Sequence, residues 1–220
     1  MINALRRTTG AAVVACDLSW RFGPFDAVRG VTFEVARGEV FSLLGSEGAG
    51  KSTILLMLCT LTHPSGGRAA VSGYDVAEQP GAVRRRVALV SAGELLDGPL
   101  AAQGFRVHVP DVLCLDEPTE GLDPRARTHL WRAVRRLQVQ GTTVMFATSS
   151  IDDAGQADRI AIIDAGRIVA LDTPARLRAT AGSAAGLDDA FIHFTGCPLR
   201  PAGDALGAAR RFMAQRQEAS

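Results

Sequence analysis

At 220 residues, with 47% apolar and 21% charged side chains, the chain has length for one or two domains and enough apolar residues for a core, which excludes wholesale disorder. A formal net charge of +1 gives no basis for a nucleic-acid partner, and the clusters Arg84-Arg85-Arg86, Arg135-Arg136 and Arg210-Arg211 read as solvated helix faces. The longest purely apolar stretch, residues 54–59, is far too short to span a bilayer, and the apolar part of residues 6–16 is too short for a signal core. The four cysteines (Cys16, Cys59, Cys114, Cys197) show no metal-ligand spacing, which fits a reducing compartment.

In chain order, residues 11–18 and 28–35 are expected as strands. In the second, Val31, Phe33 and Val35 alternate with polar neighbours, the pattern of a half-buried antiparallel strand. Residues 40–44, Val-Phe-Ser-Leu-Leu, form a near-continuous apolar run suited to a central strand covered on both faces. A glycine-rich loop follows, then a helix over 52–61, ended by Pro64, Ser65, Gly66 and Gly67. A strand at 69–72, a short helix at 79–86 and a strand at 87–90 come next, and periodicity fades from Ser91 to Pro110. Residues 112–115 predict a buried strand ending in Asp116-Glu117. Leu130, Val134 and Leu137 then share one helical face, largely opposite Arg132, Arg135 and Arg136. Strands are expected at 143–147 and 160–163, the latter in a hairpin with 167–171 across Asp164-Ala165-Gly166. The alternation implies an α/β fold with a mainly parallel sheet and a small antiparallel β part. Residues 1–180 are expected as one main domain, and 181–220, rich in Ala and Gly, as a helical C-terminal extension.

Gly45-Ser46-Glu47-Gly48-Ala49-Gly50-Lys51-Ser52 meets every defined position of the GxxxxGK[ST] phosphate-binding loop. Glycines let backbone N–H groups approach phosphate oxygens, and the following helix adds the positive end of its dipole. The cofactor-binding set is therefore Gly45, Gly48, Ala49, Gly50, Lys51, Ser52 and Thr53. Lys51 would reach the β- and γ-phosphates of ATP, and Ser52 would help hold Mg²⁺. Of the 24 basic residues, Lys51 is the one lysine. A chain that uses arginine for every generic cation keeps a compact ammonium where a phosphate loop requires one. Asp116 ends its strand where open α/β sheets collect ligands and is expected as the second Mg²⁺ holder. Glu117 is expected to orient or deprotonate an attacking water. Glu47 puts a carboxylate beside a triphosphate, so Glu47→Asn is expected to tighten ATP binding in calorimetry.

The string Leu115-Asp116-Glu117-Pro118-Thr119-Glu120-Gly121-Leu122-Asp123-Pro124 resembles the Walker B segment and D-loop of ABC transporter ATPases. Arg21-Phe22-Gly23 with Ala27-Val28-Arg29-Gly30-Val31 resembles that family's A-loop and second strand. The resemblance implies that Phe22 stacks on adenine; an ordinary core phenylalanine is the alternative. Gly166-Arg167-Ile168-Val169-Ala170 and Leu187-Asp188-Asp189-Ala190-Phe191 resemble the drug- and antibiotic-export branch. The resemblance implies a P-loop NTPase core, a membrane permease subunit as partner, and a second nucleotide-binding subunit in a homo- or heterodimer. It also implies a cytoplasmic protein, peripheral at the inner face of the membrane if the permease contact survives.

Departures from the family pattern are equally specific. Lys51 and Asp116 lie 65 positions apart (116 minus 51), an interval that in the family holds a helical subdomain and the LSGGQ-like signature. Here residues 91–110 replace all of it, with Gln103-Gly104-Phe105-Arg106 as the nearest remnant. Ala92 stands where the Q-loop glutamine belongs, and Ser149 where the switch histidine belongs; neither replaces what is lost. His63, His108, His129 and His193 fall outside that motif. The expectation is an ATP-binding subunit of an exporter, binding Mg-ATP with impaired hydrolysis. The alternatives are an ATP-binding regulatory module uncoupled from transport, or a non-functional truncated relative.

Overall fold

The structure is a computed structural model and describes residues 10–91, 110–182 and 184–199. Ala92, residues 103–106, His108 and residues 200–220, on which several expectations fall, lie outside the described residues.

Period-2 alternation organises the main sheet. In β3 (Val40–Leu44) every residue is buried, with Phe41 and Leu43 in one apolar cluster and Val40 and Leu44 in another. β7 (Val112–Asp116), β8 (Thr143–Thr148) and β9 (Arg159–Asp164) repeat the pattern: Cys114, Met145 and Ala161 face the first cluster, and Leu113, Phe146 and Ile160 face the second. A strand covered on both faces must be apolar throughout, and each large side chain so buried stabilises the fold by about 1.5–3 kcal/mol. With β6 (Val87–Ser91) and β10 (Arg167–Asp172), the sheet order is β10-β9-β3-β8-β7-β6, parallel except for β10, which pairs antiparallel with β9.

A second, antiparallel sheet of order β2-β1-β4-β5 comprises β1 (Ala11–Phe22), β2 (Phe25–Ala36), β4 (Gly66–Val71) and β5 (Tyr74–Asp75). Its inward residues, Val13, Leu18, Val31 and Phe33 among them, close the first cluster together with α1 (Lys51–Leu58). On the opposite face lie α3 (Pro124–Val139), α5 (Pro174–Ala181) and α6 (Leu187–Thr195), which contribute Trp131, Val134, Leu177, Ala190 and Phe191. The short helices α2 (Pro80–Arg84) and α4 (Ile151–Ala154) complete the described elements.

Boundaries shift for local reasons. α1 ends at Leu58 rather than 61 because Thr60 takes a left-handed φ of 60°. α2 begins at Pro80, whose ring fixes the first helical residue. Both α4 and α5 lie in segments given no helix above. Ser150 caps α4 through Asp153 N–H, and Thr173 caps α5, accepting from Arg176 N–H at 3.3 Å ahead of Pro174.

The β6–β7 connection, residues 92–111, is 20 residues long (111 minus 91), so the helical subdomain that the resemblance places in this interval is largely absent, as expected.

Candidate functional site

β3, β7 and β8 run parallel, so the loops at their carboxyl ends converge. Gly45 N–H donates to Thr148 O at 3.3 Å and Glu117 N–H to Ala147 O at 2.9 Å, which ties the three loops to one another. Residues 45–50 wrap from β3 into α1, with Gly50 at φ 101° as its N-cap. A Cβ on Gly50 would lie 2.4 Å from Ala27 O, so β2 presses on the back of the loop where only glycine fits. The β9–β10 turn locks the same corner: Gly166 N–H donates to Ala49 O at 3.1 Å and accepts at its own carbonyl from Arg29 N–H at 2.8 Å. The antiparallel sheet is thus the clamp that shapes the phosphate loop.

Lys51 is 5% exposed, and its Nζ donates to Gly45 O at 2.8 Å and Ser46 O at 3.0 Å. It stands 3.5 Å from Glu117 Oε1. Ser52 Oγ donates to Asp116 Oδ1 at 3.0 Å. Four of the expected residues, Lys51, Ser52, Asp116 and Glu117, therefore meet across 64 to 66 positions of sequence. Glu47 points outward and is exposed, while its charge favours the ammonium form of Lys51. Thr53 is half-buried on the first turn of α1. Phe22 stands apart from this cluster: it is 70% exposed at the β1–β2 tip and stacked on Trp20 at 6.1 Å, which rules out the core-phenylalanine alternative.

Glu117 is held in a left-handed backbone conformation, φ 44°, which a non-glycine residue adopts at a cost of about 1–3 kcal/mol. Its Oε2 accepts from Ser149 N–H at 3.0 Å and from Ser149 Oγ at 3.3 Å. Burial pushes the Glu117 carboxyl above its ordinary value, against the opposing pull of the Ser149 N–H and then of Lys51. Burial likewise lowers the Lys51 ammonium, with Glu117 opposing. Both shifts run toward the neutral form, the direction that desolvation drives, with the pairing at 3.5 Å opposing it. A polyphosphate would bring further negative charge to this buried ammonium. Two hard oxygen donors, Ser52 Oγ and Asp116 Oδ1, sit beside it and suit Mg²⁺.

Two contacts were invisible in the sequence. The family pattern marks Ser149 only as standing where a histidine belongs, yet it grips Glu117 from 32 positions away. Asp153, 1% exposed, gathers Thr119, Trp131 and Arg127. The signal available for it was Ser150-Ile151-Asp152-Asp153, which reads as a helix start rather than as a hub.

The family described as ABC transporter matches residues 28–104. Among curated proteins, the chain is 38% identical over 210 residues to the daunorubicin/doxorubicin resistance ATP-binding protein DrrA of Streptomyces peucetius, covering 71% of this chain and 64% of that one. It is 35% identical over 215 residues to the daunorubicin resistance ATP-binding protein DrrA3 of Streptomyces coeruleorubidus, covering 74% and 68%. To the probable multidrug ABC transporter ATP-binding protein YbhF of Escherichia coli K12 it is 31% identical, covering 81% and 40%. The chain thus spans about two thirds of the length of the first two relatives and less than half of the third. In the first alignment, 71% of 220 residues is about 156, so about 54 of the 210 aligned positions have no counterpart here. A solved structure of an ATP-binding subunit of an ABC transporter superposes with TM-score 0.71 at 23% identity, over 84% of this chain and 99% of that one. A bacterial Atm1-family ABC exporter with ATP bound gives 0.66 at 19%, over 79% and 41%. The chain belongs to the ABC transporter family of ATP-binding proteins.

Proposed function

We propose that this protein is the ATP-binding subunit of a drug exporter, holding Mg-ATP at Lys51, Ser52 and Asp116, with hydrolysis impaired. The observation that carries the reading is the meeting of Lys51, Ser52, Asp116 and Glu117 at the carboxyl ends of β3 and β7. The N–H groups of residues 45–50 and the start of α1 receive phosphate oxygens, and Lys51 supplies the charge. Ser52 and Asp116 hold Mg²⁺, which when bound offsets phosphate charge. Among the described residues, Glu117 serves as the base toward a water, and Ser149 fixes its Oε2. A serine hydroxyl orients that carboxylate but cannot carry the positive charge of an imidazolium, which is the physical reason for slow turnover. Drug export is carried over from the resistance relatives. It brings the expectation of a permease subunit in the membrane, a second nucleotide-binding subunit, and a place at the cytoplasmic face.

Steady-state Mg-ATP hydrolysis by the purified chain, with Glu117→Gln as control, tests the enzymatic half. Turnover that disappears in Glu117→Gln would establish an ATPase. No turnover above that control, with ATP binding intact in calorimetry, would make the chain a nucleotide-binding partner only. A second reading, an ATP-binding module uncoupled from transport, is favoured by the missing positions between Ser91 and Asp111, since those positions carry permease docking in the family. Co-purification with the permease discriminates the two.

A further inference from the structure

Asp153 is a carboxyl group with 1% exposure, in a position where an apolar residue would pack at no desolvation cost. Its three partners come from two separate segments. Thr119 hydroxyl donates to Oδ2, Trp131 Nε1–H donates to Oδ1 at 3.1 Å, and Arg127 Nε lies 3.8 Å from Oδ1. Thr119 stands two residues after Glu117, and Asp153 stands four residues after Ser149. Since Ser149 itself donates twice to Glu117, the contacts close a ring: Glu117, along the chain to Thr119, across to Asp153, back along α4 to Ser149, and across to Glu117. The ring has a rigid mount. Trp131 packs edge-on against Phe146 of β8 at 4.9 Å, and Ser150 Oγ accepts Asp153 N–H at 3.3 Å.

We infer that Asp153 is a positioning residue that makes the segment after β7 and the segment after β8 move as one unit around the nucleotide. Without it, the two segments would be joined beside the sheet only by the Glu117 N–H bond to Ala147 O and the two Ser149 bonds to the Glu117 carboxylate, all at Glu117 itself. With it, displacement of Glu117 by a γ-phosphate is passed through Thr119 to the Asp153 carboxyl and so to the indole of Trp131. The inference rests on the reading of Lys51, Ser52 and Asp116 as the nucleotide site.

The test uses the ¹⁵N-labelled full chain. Its two tryptophans give two indole N–H resonances, assigned with Trp20→Phe. Calorimetry with Mg-ATP and Mg-ADP is run on the same samples. Mg-ATP is expected to shift the Trp131 indole resonance, and Mg-ADP to shift it less. In Thr119→Val, which keeps the Trp131–Asp153 bond and the side-chain shape, the ATP-induced shift should fall at least about threefold while ATP affinity holds. Asp153→Ala should lose the response. Asp153→Asn should retain it, because the amide keeps both partners by exchanging donor and acceptor roles with Thr119. An ATP-bound wild-type protein whose Trp131 resonance does not move overturns the inference, as does Asp153→Ala with the full response. Absence of ATP binding in calorimetry is a different failure, since it removes the nucleotide-site reading and the inference with it.

Discussion

Two loops leave neighbouring strands of one sheet and face each other across Glu117, and they are built on different principles. Residues 45–50, after β3, present main-chain groups: the functional content lies in φ values such as Gly50's 101° and in the start of α1. The segment after β8 relies on one residue, Ser149, which meets Glu117 through its main-chain N–H at 3.0 Å and through its hydroxyl at 3.3 Å. Work done by backbone survives any substitution that respects the conformation. Work done by a side chain is lost in one step, even when the fold is untouched. Ser149 combines both: its N–H bond to Glu117 is open to any residue but proline, whereas its hydroxyl bond depends on the side chain and brings no charge.

Lys51→Ala should weaken Mg-ATP binding at least about 100-fold in calorimetry, since a 3 kcal/mol loss is a modest figure for a buried phosphate ligand. Retained affinity would mean that the backbone alone holds the phosphates. Gly50→Ala tests the backbone principle itself. A Cβ 2.4 Å from Ala27 O at a left-handed φ should destabilise the fold by about 2–4 kcal/mol, read as a lowered melting temperature. Ser149→His sharpens the other side: if the lost side chain is what limits turnover, hydrolysis should rise about tenfold with little change in KM. An unchanged rate would move the defect to the shortened β6–β7 connection.

The smallest effect is a pH dependence. Burial raises the Glu117 pKa above its ordinary 4.5. The stability this group contributes is therefore complete below pH 4.5 and is lost as pH rises through its folded-state value. Glu117→Gln removes the titration. The variant should melt above wild type at neutral pH and show no gain below pH 4.5. A lowered melting temperature at pH 7 would show that the Lys51 pairing, at 3.5 Å, outweighs desolvation after all.

What could be read from the sequence followed the same division. The phosphate loop was legible because its chemistry needs fixed residue types at fixed spacing after a strand apolar on both faces, as Phe41-Ser42-Leu43-Leu44 is. Asp116 and Glu117 were legible as the end of such a strand. The left-handed φ of Glu117 was not, since no neighbouring glycine or asparagine marks it. Nor was the Ser149 grip or the Asp153 hub, because both depend on register between strands 30 positions apart rather than on local pattern. α5 was missed where Thr173-Pro174, a cap followed by a first-turn proline, could have announced it.

The solitary lysine has a practical corollary. Residues 10–199 and the rest of the chain contain a single side-chain amine, and it is 5% exposed at the bottom of the phosphate loop. A lysine-specific protease therefore has one peptide bond to cut, and it can cut only when residues 45–52 unravel. The rate of that single scission, giving fragments 1–51 and 52–220, is a clock for local opening of the nucleotide cradle, one that any occupant of the cradle should slow.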